Sequence, residues 1–174
     1  MATSQNGWPA LSSASSLLYS WNVPGPSRTK IKLRNGSGGF LLIHWATFFD
    51  SQIEDLDEPQ LDDWGYAYRP IRGFESGLSN HSSGTAMDLN ATDHPLGKSD
   101  TFTNSEEEKI HKVLSKYVGC VRWGGDYNGR KDEMHYELDR NIAECERVAR
   151  KLMHTKRGEL VLNANPSQRR VIMS

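Results

Sequence analysis

The chain has almost nothing from which to build a disulfide scaffold, a membrane span or a long-range electric field. Its two cysteines, Cys120 and Cys145, are too few for a disulfide framework and sit among apolar neighbours, so both read as buried free thiols. No stretch approaches the ~20 consecutive apolar residues of a transmembrane helix. The first residues also lack a basic segment followed by an apolar core. The expectation is a monomer made and kept in a cytosol without membrane insertion. Basic and acidic residues nearly cancel, 21 against 22 for a net charge of −1. No overall field then recruits nucleic acid or an anionic membrane, and a substrate must be caught locally. A length of 174 residues suits one domain with a sizeable core and leaves little room for a second.

Residues 1–28, rich in Ser, Asn, Pro and Gly, read as an irregular arm with a few aromatic anchors. A domain over 29–155 and a tail over 156–174 complete the expected layout. Thr29 to Leu33 alternates like a strand, and Asn35 to Gly39 reads as a turn or the start of a helix. Phe40, Ile43, Thr47, Phe48, Phe49 and Ile53 recur at helical spacing, which predicts a helix from Phe40 to about Leu56. Trp64, Tyr66 and Tyr68 at period two predict a half-buried strand within Leu61 to Arg72. Asn90 to Thr103 reads as a loop. Thr103 followed by Glu106, with Ile110, Val113, Leu114 and Tyr117 as an apolar stripe, predicts a capped helix that Gly119 stops. Short strands are expected at Val121 to Trp123 and His135 to Leu138, around a loop at 124–129, before a last helix from Asp139 to about Leu152.

Two clusters carry chemistry. Ser79-Asn80-His81-Ser82-Ser83-Gly84-Thr85-Ala86-Met87-Asp88 is followed by Asp132-Glu133-Met134-His135. A catalytic zinc takes three protein ligands and leaves a position for water, whose pKa falls toward ~7. His81, Asp88 and His135 supply three. Gly84 permits a tight turn, after which alternation places Ala86 and Asp88 on one strand face. Hydrolysis also needs a group that takes a proton from water and passes it to the leaving amine. Asp132 is the candidate; the neighbouring Glu133 should point elsewhere. Glu137, on the same face as His135, could orient that ligand by a hydrogen bond. Arg69 and Arg72, just upstream, offer planar forks for a substrate carboxylate. Trp64, Tyr68, Trp123 and Tyr127 could line the cleft. Taken singly, each residue has an ordinary reading: a capping histidine, a solvated acidic turn, surface arginines, core tryptophans. His44, His111 and His154 keep that reading, while His94, in the loop after Asp88, is a reserve ligand or substrate contact.

At these residues the sequence resembles the zinc D-Ala-D-Ala carboxypeptidase family, whose pattern is Ser-x-His-x-x-Gly-x-Ala-x-Asp with an acid three residues before a final His. The similarity runs from about Gly38 to Leu152 and includes Trp123-Gly124-Gly125 and His135-Tyr136-Glu137-Leu138. It implies a small α+β domain, an antiparallel sheet with packed helices of the Hedgehog and D-Ala-D-Ala peptidase type. It also implies one zinc ion per chain on His81, Asp88 and His135, with Asp132 as the base. Substrate contacts would fall to Arg69, Arg72 and Ser79, Arg69 matching the family's arginine better. The acid is Glu in the family's carboxypeptidases and Asp in its L-alanyl-D-glutamate endopeptidases, and this chain has Asp.

The implied substrate is the peptide stem of bacterial peptidoglycan, cut at the L-Ala-D-Glu bond. The run from Gly84 to Asn90 and His94-Pro95-Leu96-Gly97 look most like phage endolysin peptidases, which wait in the host cytosol until release to the wall. The alternatives are a D-alanyl-D-alanine carboxypeptidase of the same fold, a virion-associated wall-degrading peptidase, and a metal-stabilised binding module.

Overall fold

Helix α1, Gly36–Gln52, has no polar face: Phe40 to Phe49 are all buried, and Leu41, Leu42, Ile43 and Trp45 are fully enclosed. A helix apolar all round must be covered on every side, and the rest of the chain does this. The computed structural model describes residues 2–174. A hairpin of β1, Leu18–Asn22, and β2, Lys30–Arg34, packs on one flank of α1. A second antiparallel sheet combines β3, Ala86–Asp88, with β4, Val121–Trp123, and β5, His135–Leu138, in the order β3-β5-β4. Helix α2, Asn104–Leu114, precedes β4, and α3, Ile142–Leu152, follows β5 and packs on α1. The class is α+β in a single small domain, as expected, with two small sheets where one was expected.

Local signals decide several boundaries. Thr103 and Glu106 form the reciprocal capping box that starts α2. Asn141 caps α3 by accepting from Glu144 N at 3.0 Å, so α3 starts three residues later than its periodicity suggests. Cys120 and Cys145 are buried and free.

Both ends depart from expectation. Residues 156–174 form two helices, α4, Lys156–Ala164, and α5, Pro166–Met173, both against α1. Gln168 of α5 accepts from Gly36 N at 2.8 Å, supplying the N-terminus of α1 with the cap that Asn35 does not. At the other end, Trp8 is buried and its indole donates to Arg140 O at 2.9 Å. The predicted strand within Leu61 to Arg72 is extended backbone that changes partner every few residues. Trp64 pairs with Asp88, Tyr66 N donates to Lys32 O at 2.6 Å, and Ala67 N reaches His81 O at 3.3 Å. Trp64 and Tyr68 consequently face solvent, 61% and 59% exposed. Among the described residues, no helix is long and apolar enough to cross a membrane.

Candidate metal centre and cleft

Register builds the site. Asp88 and His135 are direct cross-strand partners in the β3-β5 ladder, and Ala86 stands opposite Glu137. Opposed side chains lie on one face, so Asp88, His135 and Glu137 converge while Ala86 leaves room. A one-residue slip would turn all of them away. His81 arrives from a single 3-10 turn, Asn80–Ser83, capped by Ser79 and closed by Gly84 at φ +68°. A side chain at Gly84 would also strike Arg34 N of β2, its Cβ only 2.6 Å away.

His81, Asp88 and His135 are buried, and their ligand atoms lie within 4.8 Å of one another. His81 Nδ1 donates to Gly65 O at 2.6 Å, so in the neutral ring Nε2 is the nitrogen with a free lone pair. That nitrogen sits 3.3 Å from Asp88 Oδ1, is buried, and has no hydrogen-bond partner among the described residues. His135 turns Nδ1 to the same Asp88 Oδ1 at 2.8 Å and Nε2 to Glu137 Oε2 at 3.1 Å. Two imidazoles and a carboxylate thus point at one place, each imidazole held from behind by an oxygen. The group fits a metal ion, because its one orphaned nitrogen faces the carboxylate from a direction that forms no hydrogen bond.

The charges agree. Burial alone would raise the Asp88 carboxyl, but the two histidines hold it far below the usual range. Burial likewise disfavours charge on His135, yet its bonds to Asp88 and Glu137 push it up to about 10. Against the same burial penalty, His135, Tyr127 and Asn80 hold Glu137 ionised, down to about 2. Two buried carboxylates are balanced here by positive charge, which protonated His135 carries in the metal-free group.

The cleft over the group encloses about 560 Å³ and is lined in part by Arg69, Arg72, Ser79, Asp88, Tyr127 and Asp132. Residues 72–138 match the family model described as D-alanyl-D-alanine carboxypeptidase. Over that stretch, 67 of the chain's 174 residues, the chain is similar to a peptidase family. It spans Arg72, Ser79, His81, Asp88, Asp132 and His135 and begins three residues beyond Arg69. No curated protein and no solved structure matches the chain.

Asp132 and Glu133, adjacent in sequence, separate completely at this site. Asp132 lines the cleft with Oδ1 buried and without a partner among the described residues; burial raises its pKa, Asp88 adds to the rise, and His135, His81 and Arg69 oppose it. Glu133 turns away and accepts from Asp100 N and Thr101 N, both at 2.9 Å, and from the Thr101 hydroxyl. The backbone of Gly124 passes close beneath Asp132, where a Cβ would lie 2.3 Å from Asp132 O. The Trp-Gly-Gly run is what lets this loop close. Arg69 is half-buried on the cleft wall, its pKa lowered by burial and Arg72 and supported by Asp88 and Asp132. Arg72 is exposed on the rim, where its carbonyl accepts from Arg130 at 2.8 Å.

Other expectations fail. His94 is no reserve ligand, because Thr101 and Glu54 occupy its nitrogens at 2.7 and 2.8 Å and its ring stacks on Phe102. Trp123 is buried and donates to Glu133 O at 2.7 Å, so of the four candidate aromatics only Tyr127 lines the cleft. Tyr127 donates to Glu137 Oε1 at 2.7 Å. Arg122, stacked over Tyr127 at 4.8 Å, Arg130, Gln5 and Asn6 also line the cleft and were not singled out from sequence. Arginine next to a buried aromatic was the available signal for Arg122; none pointed to Gln5 or Asn6.

Proposed function

We propose that this protein is a zinc metallopeptidase that cleaves peptidoglycan stem peptides at the L-Ala-D-Glu bond, as a phage endolysin stored in the host cytosol until release. The observation that carries the hydrolytic reading is the Asp132 carboxylate on the cleft beside the His81, Asp88 and His135 group, its buried Oδ1 without a hydrogen-bond partner among the described residues. Two histidines and one carboxylate suit zinc, which when bound supplies a Lewis acid that polarises a carbonyl and acidifies water. Gly65 and Glu137 fix the imidazole tautomers. Asp132 Oδ1 accepts a proton from the attacking water and returns it to the leaving amine; its raised pKa suits both halves of that transfer. Arg69 binds a substrate carboxylate, with Arg72 on the rim and Ser79 in the wall. Asp at position 132 is the support for an endopeptidase, and the endolysin role rests on the resemblance of the two motifs.

The family description favours a second reading, removal of terminal D-Ala. Digestion of purified peptidoglycan, read by amino-group release and fragment mass, separates them. Fragments beginning at D-Glu are expected from the protein and not from Asp132→Ala. Loss of single D-Ala residues would establish the carboxypeptidase instead, and equal release by both proteins would refute catalysis by Asp132.

A further inference from the structure

We infer that the N-terminal segment is a working part of the metal centre, in which Asn6 is a positioning residue acting through Asn80 and Glu137 on His135. The inference rests on His81, Asp88 and His135 holding a metal ion.

Asn6 uses its full hydrogen-bonding capacity. Its Nδ2 donates to Thr85 Oγ1 and to Leu138 O, both at 2.8 Å, and its Oδ1 accepts from Ser4 Oγ at 2.7 Å and Trp8 N at 3.3 Å. Thr85 immediately precedes β3 and Leu138 ends β5. One side-chain amide therefore ties together the strands that present Asp88 and His135. The backbone N–H of Asn6 donates to Asn80 Oδ1 at 2.9 Å. Of the two ends of a side-chain amide only the oxygen accepts, so this bond decides which end of the buried Asn80 amide faces inward. The Nδ2 end meets Glu137 Oε2 at 2.6 Å. Glu137, satisfied by Asn80 and Tyr127, accepts from His135 Nε2 and leaves Nδ1 toward Asp88. Were Asn80 reversed, its carbonyl oxygen would confront the Glu137 carboxylate and its amide would confront the Asn6 N–H. Asn6 is 74 residues from Asn80 and 132 from Leu138, yet the orientation of a metal ligand depends on it.

Metal affinity tests this directly. Zinc binding is measured by chelator competition, and the visible absorption of the cobalt-loaded protein reports ligand geometry. Asn80→Ala should weaken zinc about tenfold, the low end for partners of metal ligands, and Asn6→Ala about threefold to tenfold, both altering the cobalt bands. The double variant should bind little more weakly than Asn80→Ala, because the Asn6 side chain acts on the metal by holding in place the backbone N–H that Asn80 accepts from. Asn165→Ala, which breaks a comparable buried amide network at Asn22 and Val161 far from the cleft, should lower Tm without changing either metal readout. If Asn6→Ala melts below the assay temperature, Asn6→Asp replaces it, keeping the volume and losing both donors. Wild-type zinc affinity in the Asn6 variants, or losses that add fully in the double, would overturn the inference alone. A wild-type protein that takes up no metal would overturn it together with the metallopeptidase reading.

Discussion

His81 and His94 are equally buried, at 1% exposure each, and both lie beside carboxylates. They differ in how their nitrogens are used. His94 spends both, on Thr101 and Glu54, in a network that ties the 90–103 loop to the segment just after α1 and to Glu133. His81 spends one on Gly65 and leaves the other aimed at Asp88 without a bond. A buried polar atom left unmatched costs about 1–3 kcal/mol, and at His81 a bound metal ion would recover that energy. Burial, charge and residue type do not separate the two histidines, and unspent bonding capacity does.

If that distinction is sound, the largest effect belongs to the unmatched carboxylate. Asp132→Asn should lower kcat by about 10²–10⁴-fold with Tm nearly unchanged, since a general base contributes in that range. Full activity in a folded Asp132→Asn protein would remove Asp132 from the mechanism. Next, Arg69→Ala should lower kcat/KM on stem peptides by roughly 10–100-fold, the scale of a lost charged hydrogen bond, with Arg72→Ala costing less because it stands in solvent. His94→Ala should do the reverse of the Asp132 change. Losing its two bonds and its stacking on Phe102 costs about 2 kcal/mol of stability, measured by urea unfolding, while kcat of the folded fraction holds. A catalytic defect in His94→Ala without destabilisation would erase the contrast between the clusters.

The smallest effects are in pH. The raised Asp132 pKa places the acid limb of the kcat profile above the ordinary carboxylate value of 3.8. In metal-free protein, His135 is raised from 6.5 to about 10. The native state therefore holds a proton that the unfolded chain releases, and stability present below pH 6.5 is lost as pH climbs toward 10. Glu137, lowered to about 2, acts oppositely, its contribution present above 4.5 and lost as pH falls through 2. Melting temperatures of chelator-treated protein across that range test both slopes, and His135→Gln should flatten the alkaline one.

The chemistry of the site was legible where it was local. The spacing from Ser79 to Asp88 holds a turn and a strand, and the spacing from Asp132 to His135 holds a loop and a strand. Thr103 with Glu106 is a cap written in four residues. Contacts across the chain left no local trace. Nothing near Gln168 says that it caps α1, and nothing near Asn6 says that it holds Asn80. The tail was misread for a related reason: α4 and α5 are two-turn helices, too short to display a helical period, and are stable because α1 needs a cover. The row of Trp64, Tyr66 and Tyr68 carried true strand periodicity, but its partners alternate among β2, β3 and the His81 turn, so no regular ladder formed.

Sequence alone determined the donor types, their order and their spacing, because residue identity and short-range periodicity are properties of the chain. Tertiary structure decided the strand register that sets Asp88 against His135, the division of labour between Asp132 and Glu133, the exclusion of His94 and the recruitment of Asn6. Each of these depends on which distant backbone group arrives first at a hydrogen-bonding atom, and only the packed fold assigns that partner.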